Sequence, residues 1–205
     1  MKEFFQQQRP QNGLSYDEYK ADWQEQKDQP KNELGRDERK MLHYLRYNWK
    51  RAKATEAAYS PSDELTAAVT SIDDPQLWMV ITEPWCGDSA FNLPVIEAAA
   101  EANDQIKLRI LHRDENLDIM DQYLTGESRS IPKLVAFSEN GSERFQWGPR
   151  PKAGQKVFDR LKEEGHDKME IVQQLIEWYE DGGYQHVDEE LTIAITEPEA
   201  STARS

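Results

Sequence analysis

Leu77-Trp78-Met79-Val80-Ile81 runs straight into Thr82-Glu83-Pro84-Trp85-Cys86-Gly87-Asp88-Ser89. A short, continuous apolar run reads as a strand covered on both faces, since a half-exposed strand would alternate apolar with polar. Beyond the loop, Phe91, Val95, Ile96, Ala99 and Ala100 return at helical spacing. The unit is therefore strand, loop, helix, with Cys86 at the helix start and Pro94 inside the helix, where a kink is expected. A thiol in that place feels the partial positive charge and free N–H groups of the first helical turn, which favour thiolate over thiol. This makes Cys86 a candidate nucleophile that reagents can reach. Asp88 opposes the effect by placing a negative charge in the same turn.

Outward from this segment, Ile106 to Leu111 is a second strand, which completes a βαβ unit and demands a parallel pair with a right-handed crossover. Asn116 to Leu124 reads as a short helix. Ile131-Pro132 leads into a strand over Lys133 to Ser138, and Glu139-Asn140-Gly141-Ser142 reads as a hairpin turn into Arg144 to Trp147. The hairpin demands an antiparallel pair, so the sheet is mixed. Gly148-Pro149-Arg150-Pro151 closes it, two helices follow over about 152–164 and 167–180, and Gly182-Gly183 stops the last one. Upstream, Met41, Leu42, Leu45, Trp49 and Ala52 mark a long amphipathic helix up to Ser60-Pro61, and Ser62 opens another with Leu65, Ala68, Val69 and Ile72 on one face. Residues 1–35 form a polar arm, docked or partly ordered, in which Tyr16, Tyr19 and Trp23 fit one short helix. Residues 184–205, with only a weak run from Leu191 to Ile195, read as a tail. The expected organisation is an α/β domain over 36–183 with a helical N-terminal extension, an arm before it and a C-terminal tail after it.

Composition excludes more than it names. With 39 acidic against 25 basic residues the net charge is -14, which repels phosphate backbones and anionic lipid, so neither nucleic acid nor a membrane is an expected partner. No apolar run of signal-peptide or membrane-span length occurs, and the cytoplasm is the expected compartment. The one cysteine allows no intrachain disulfide and no zinc site built on cysteine pairs. His43, His112, His166 and His186 are spaced too irregularly to suggest one metal site; each reads as structural or exposed, and no metal is expected.

A buried strand, then Trp85-Cys86-Gly87, then a helix with a proline eight residues after the cysteine, resembles the active-site segment of thioredoxins. Ile131-Pro132 before Lys133-Leu134-Val135-Ala136-Phe137 is similar to the family's Ile-Pro or Thr-Pro before its fourth strand, and the Asn140-Gly141 turn and Gly148 continue the likeness over about 65–165. The strings Pro-Trp-Cys-Gly-Asp-Ser and Trp-Gly-Pro-Arg-Pro resemble a bacterial branch of thioredoxin-like proteins in which a helical N-terminal extension replaces the first strand. The resemblance implies a thioredoxin fold, a mixed four-stranded sheet flanked by helices, with Pro132 cis and facing the cysteine. It implies a site of Cys86 and Ser89, with Trp85, Gly87, Asp88, Ile131 and Pro132 on the substrate side.

Two departures from the family pattern set the expected chemistry. Ser89 stands where dithiol members carry a second cysteine; a hydroxyl can donate to a thiolate but cannot attack a mixed disulfide, so release needs an external thiol. Val80 stands where many thioredoxins carry an acid, which removes a proton acceptor for resolution. The leading expectation is monothiol exchange with protein or small-molecule thiols and disulfides, with no bound cofactor and glutathione a candidate co-substrate. Arg129 and Lys133, flanking Ile131-Pro132, are candidates to attract an anionic thiol. Two alternatives stand beside it: a non-catalytic adaptor that keeps the fold, and a glutathione-dependent iron–sulfur carrier, suggested by the Cys-Gly-x-Ser spacing alone. The sequence leaves the oligomeric state open.

Overall fold

The computed structural model describes residues 1–197, the side chain of Glu33 excepted. The N-terminal arm is docked. Glu3–Gln6 (α1) buries Phe4 and Phe5, and the Phe5 ring lies 5.0 Å from that of Phe137. Tyr16–Lys27 (α2) starts at a capping box of Ser15 and Glu18 and turns Tyr16, Tyr19 and Trp23 inward. Trp23 Nε1 donates to the Leu45 carbonyl at 3.0 Å, which ties the arm to the long helix Arg36–Ala58 (α3). Asp63–Thr70 (α4) follows, opened by the Ser62 hydroxyl, which accepts from the Leu65 amide at 3.0 Å.

The βαβ unit is Gln76–Thr82 (β1), Gly87–Glu101 (α5) and Ile106–His112 (β2). After the single turn Leu117–Met120 (α6) come Lys133–Ser138 (β3) and Glu143–Trp147 (β4). Strand order is β2-β1-β3-β4, with β1 and β2 parallel and the other pairs antiparallel. This is the mixed sheet that a βαβ unit followed by a hairpin requires. Because successive side chains face opposite sides of a strand, Trp78, Val80, Leu134 and Ala136 join one core with Leu93 and Ile96 of α5, while Leu77, Met79, Ile81, Val135 and Phe137 join another with Phe4, Phe5, Ile119 and Met120. The central strand is sealed on both sides, as its apolar run demands.

Two expectations need correction. Residues 184–205 are not simply a tail: Gln185–Thr196 forms a helix (α9) whose Val187, Leu191 and Ala194 enter the main core. Those three recur at helical spacing, and Ile193 of the weak apolar run faces outward; residues 198–205 lie outside the described residues. Gly182-Gly183 accordingly ends no last helix. Lys152–Glu163 (α7) and Lys168–Trp178 (α8) pack a small core of Leu161, Ile171 and Leu175, and a wide turn over Tyr179–Gly183 leads into α9. The second correction is size: the helix expected over 116–124 shrinks to one turn. Among the described residues no helix is long and apolar enough to cross a membrane.

Candidate active site around Cys86

Cys86 caps the N-terminus of α5, after a tight turn in which its amide donates to the Glu83 carbonyl at 3.1 Å. Its Sγ–H donates to the Ile131 carbonyl at 3.3 Å, and the Ile131-Pro132 peptide that follows is cis. The thiol and the loop before β3 therefore meet although 45 positions separate them. Ser89, one turn into α5, is buried, and its hydroxyl lies 2.5 Å from that of Thr82. Trp85 is half-buried over both cores, with the Arg113 guanidinium 4.7 Å above its ring. A side chain at Gly87 would meet nothing within 4 Å, so the approach to the helix start is open there.

The electrostatics run against the expected activation. Cys86 is 8% exposed, and burial, then the charge of Asp88, push its thiol up to about 11. The Ser89 hydroxyl and the amides of Ser89 and Asp88 pull the other way and are outweighed. A helix N-terminus favours thiolate only where the charge keeps some hydration, and here the sulfur has lost it. The expectation of an exposed thiolate is thus corrected to a covered thiol.

A family model described as Thioredoxin matches residues 35–162, more than half of the chain. The chain belongs to the thioredoxin family. Thioredoxin 1 of Synechococcus elongatus is 39% identical over 57 residues, which is 27% of this chain and 50% of that protein. The chain thus spans about half the length of the curated relative it matches. Among solved structures, a protein of unknown function from Pseudomonas aeruginosa superposes with a TM-score of 0.59 at 17% identity, over 92% of this chain and 94% of that one. An HIV epitope scaffold superposes with a TM-score of 0.55 at 21% identity, over 74% of this chain and 85% of that one. Both share the fold.

This thioredoxin family site recruits residues that the motif did not point to. Asn48 of α3, fully buried, donates to the Pro84 carbonyl at 3.2 Å and so pins the active-site loop from the N-terminal extension. Glu83 is buried; it accepts from the Asp114 amide at 2.8 Å and lies 3.4 Å from His112 Nδ1, while His112 Nε2 is 3.1 Å from Asp22 of α2. Tyr19, also of α2, is fully buried, with its ring 5.6 Å from that of His112. Arg150 holds Asp88 on both oxygens, and Tyr179 donates to the same carboxylate at 2.8 Å. An apolar cleft of about 400 Å³ opens beside Gly87 and Asp88, walled by Phe158, Leu175 and Tyr179. The usable signals were an acid inside an apolar run, Glu83, and an arginine held rigid between Pro149 and Pro151.

The two cations named as candidates for an anionic thiol separate cleanly. Arg129 is tied to both oxygens of Asp121, at 2.6 and 2.8 Å. Lys133 is buried and makes no such bond among the described residues.

Proposed function

We propose that this thioredoxin family protein performs thiol-disulfide exchange through Cys86 alone and that the outcome is a long-lived mixed disulfide. The observation that supports it is the seat of Sγ at the start of α5, 3.3 Å from the Ile131 carbonyl, with Ser89 one turn on in the place of a second thiol. In the exchange, the Cys86 thiolate attacks one sulfur of a disulfide, a new Sγ–S bond forms, the old S–S bond breaks, and the departing thiolate takes a proton from water. Release needs an external thiol, for which glutathione is the candidate, in a cytoplasmic setting.

The raised thiol pKa acts on both steps. At neutral pH the thiolate is scarce, so capture is slow. Once captured, an incoming thiolate expels the less basic of the two sulfurs, which is the partner's rather than Sγ. Cys86 then exchanges one partner for another more readily than it frees itself.

Incubation with oxidised glutathione, followed by intact mass, tests this. A single adduct that forms slowly near neutral pH, faster in alkali, and not with Cys86→Ser supports it. An adduct that appears only after denaturation contradicts it. The 8% exposure of Cys86 favours a second reading, a non-catalytic binding module that holds a protein against Trp85, Ile131 and Pro132. Partners captured equally by wild type and Cys86→Ala would support that reading.

A further inference from the structure

Lys133 opens β3 directly after Pro132, and the residue is 7% exposed. Among the described residues its ammonium forms no hydrogen bond and no ion pair. A cation that gives up hydration without a partner is costly, and proteins retain such an arrangement rarely outside sites that receive a ligand. Burial also lowers its pKa, in the direction expected of an unpaired ammonium.

The side chain lines a cleft of about 340 Å³ with Trp147, Gly148, Arg150, Lys152 and Glu190. Each of the other charges there has an engagement of its own or stands at the mouth. Glu190 accepts from Trp147 Nε1 at 2.9 Å and from the Lys152 amide at 2.6 Å, one bond on each oxygen. Arg150 is held by Asp88, and Glu197, at the edge of the cleft, is exposed and makes no ion pair among the described residues. The Lys152 ammonium is exposed and also makes no ion pair among the described residues, so Lys133 is the buried cation left over.

The cleft and the sulfur share one backbone segment. Sγ rests on the Ile131 carbonyl, and Lys133 lies two residues further on, its Cα at most about 7 Å from that of Ile131. Gly148 seals the join: a Cβ there would stand 2.2 Å from the Pro132 carbonyl oxygen, so the cleft wall presses directly on the Pro132 loop. A ligand that reaches both the sulfur and the ammonium has this short segment to follow, which suits a small peptide.

We propose that the Lys133 cleft is a carboxylate subsite that selects small peptide thiols and disulfides with a free carboxylate as the partners of Cys86. The choice of partner rests on the exchange chemistry proposed above, whereas carboxylate binding does not, and the test keeps them apart. S-methylglutathione, which has the carboxylates but cannot exchange, is titrated into wild type and Lys133→Met by NMR or calorimetry, and its diester is titrated in parallel. The expected result is saturable binding to wild type, weakened at least tenfold by Lys133→Met and by esterification. Lys133→Met should melt at or above the wild-type temperature, because it removes an unpaired buried charge. Equal binding by Lys133→Met, equal binding of acid and diester, no saturable binding to wild type, or a marked fall in the melting temperature of Lys133→Met would each overturn the subsite. Adduct formation with oxidised glutathione reports Cys86 exchange by itself, so either idea can fail without the other.

Discussion

Arg150 grips Asp88 with a two-pronged contact: Nε donates to Oδ1 at 3.1 Å and Nη2 to Oδ2 at 2.8 Å, across 62 positions of sequence. The pair joins the first turn of α5 to the segment after β4, and the Tyr179 hydroxyl completes it from the turn before α9. Because the same carboxylate bears on the Cys86 thiol, the state of the sulfur depends on three distant elements at once. Bidentate pairs of this kind also fix orientation, which is how the helix start and the chain beyond β4 stay in register.

Asp88→Asn separates the two roles of this carboxylate. Removing the charge lowers the Cys86 pKa, so alkylation at about pH 8 should quicken, by about tenfold for every pH unit the pKa drops. It also strands a guanidinium that is mostly buried, and the loss of one partner of such a pair costs about 3 kcal/mol. Slower alkylation in a folded Asp88→Asn protein would contradict the assignment.

Gly148 and Gly87 form a matched pair of tests. Gly148 has φ +112°, and its missing Cβ makes room for the Pro132 carbonyl, so Gly148→Ala should cost about 3 kcal/mol or more and displace the loop that Sγ rests on. Gly87 faces open space, so Gly87→Ala should stay within about 1 kcal/mol of wild type. Urea denaturation midpoints measure both, and similar losses would contradict the packing described.

His112 gives the stability a pH dependence. The hydrogen bond to Glu83 first, and then the charges of Glu83, Asp22 and Glu115, raise its pKa against the opposing effect of burial. A folded pKa above the unfolded one, roughly 6.5, makes the contribution complete below that value and lost as pH rises through the folded pKa. The melting-temperature difference between wild type and His112→Gln should therefore shrink from pH 6 to pH 8. A difference that stays constant over that range would show that His112 does not titrate against these acids.

The strands were legible because their signals are local. The apolar run at Leu77, the Asn140-Gly141 turn and the βαβ spacing each fix geometry within a few residues, and together they dictate the mixed sheet. The meeting of Cys86 with the Pro132 loop was legible only through resemblance, since nothing local brings residues 86 and 131 together. What the sequence hid depends on long-range packing: Phe4 and Phe5 in a polar arm, the Asp22-His112-Glu83 array, and the burial that reverses the helix-start effect on the thiol. The helix Gln185–Thr196 was masked by Ile193, which continues the apolar run but points to solvent. Leu191→Ala, which empties a fully buried position on that helix, should cost about 3 kcal/mol in urea denaturation, and a loss under about 1 kcal/mol would mean that the helix is not part of the core.

The state of the Cys86 sulfur is the point on which the proposed chemistry turns, and the pH dependence of its alkylation measures it most directly. Iodoacetamide rates between about pH 6 and pH 11, with circular dichroism to verify folding at each pH, should climb about tenfold per pH unit with no plateau below about pH 10, because the thiol is held up to about 11. A rate that levels off with a midpoint below the free-cysteine value of roughly 8.5 would contradict a buried, protonated thiol.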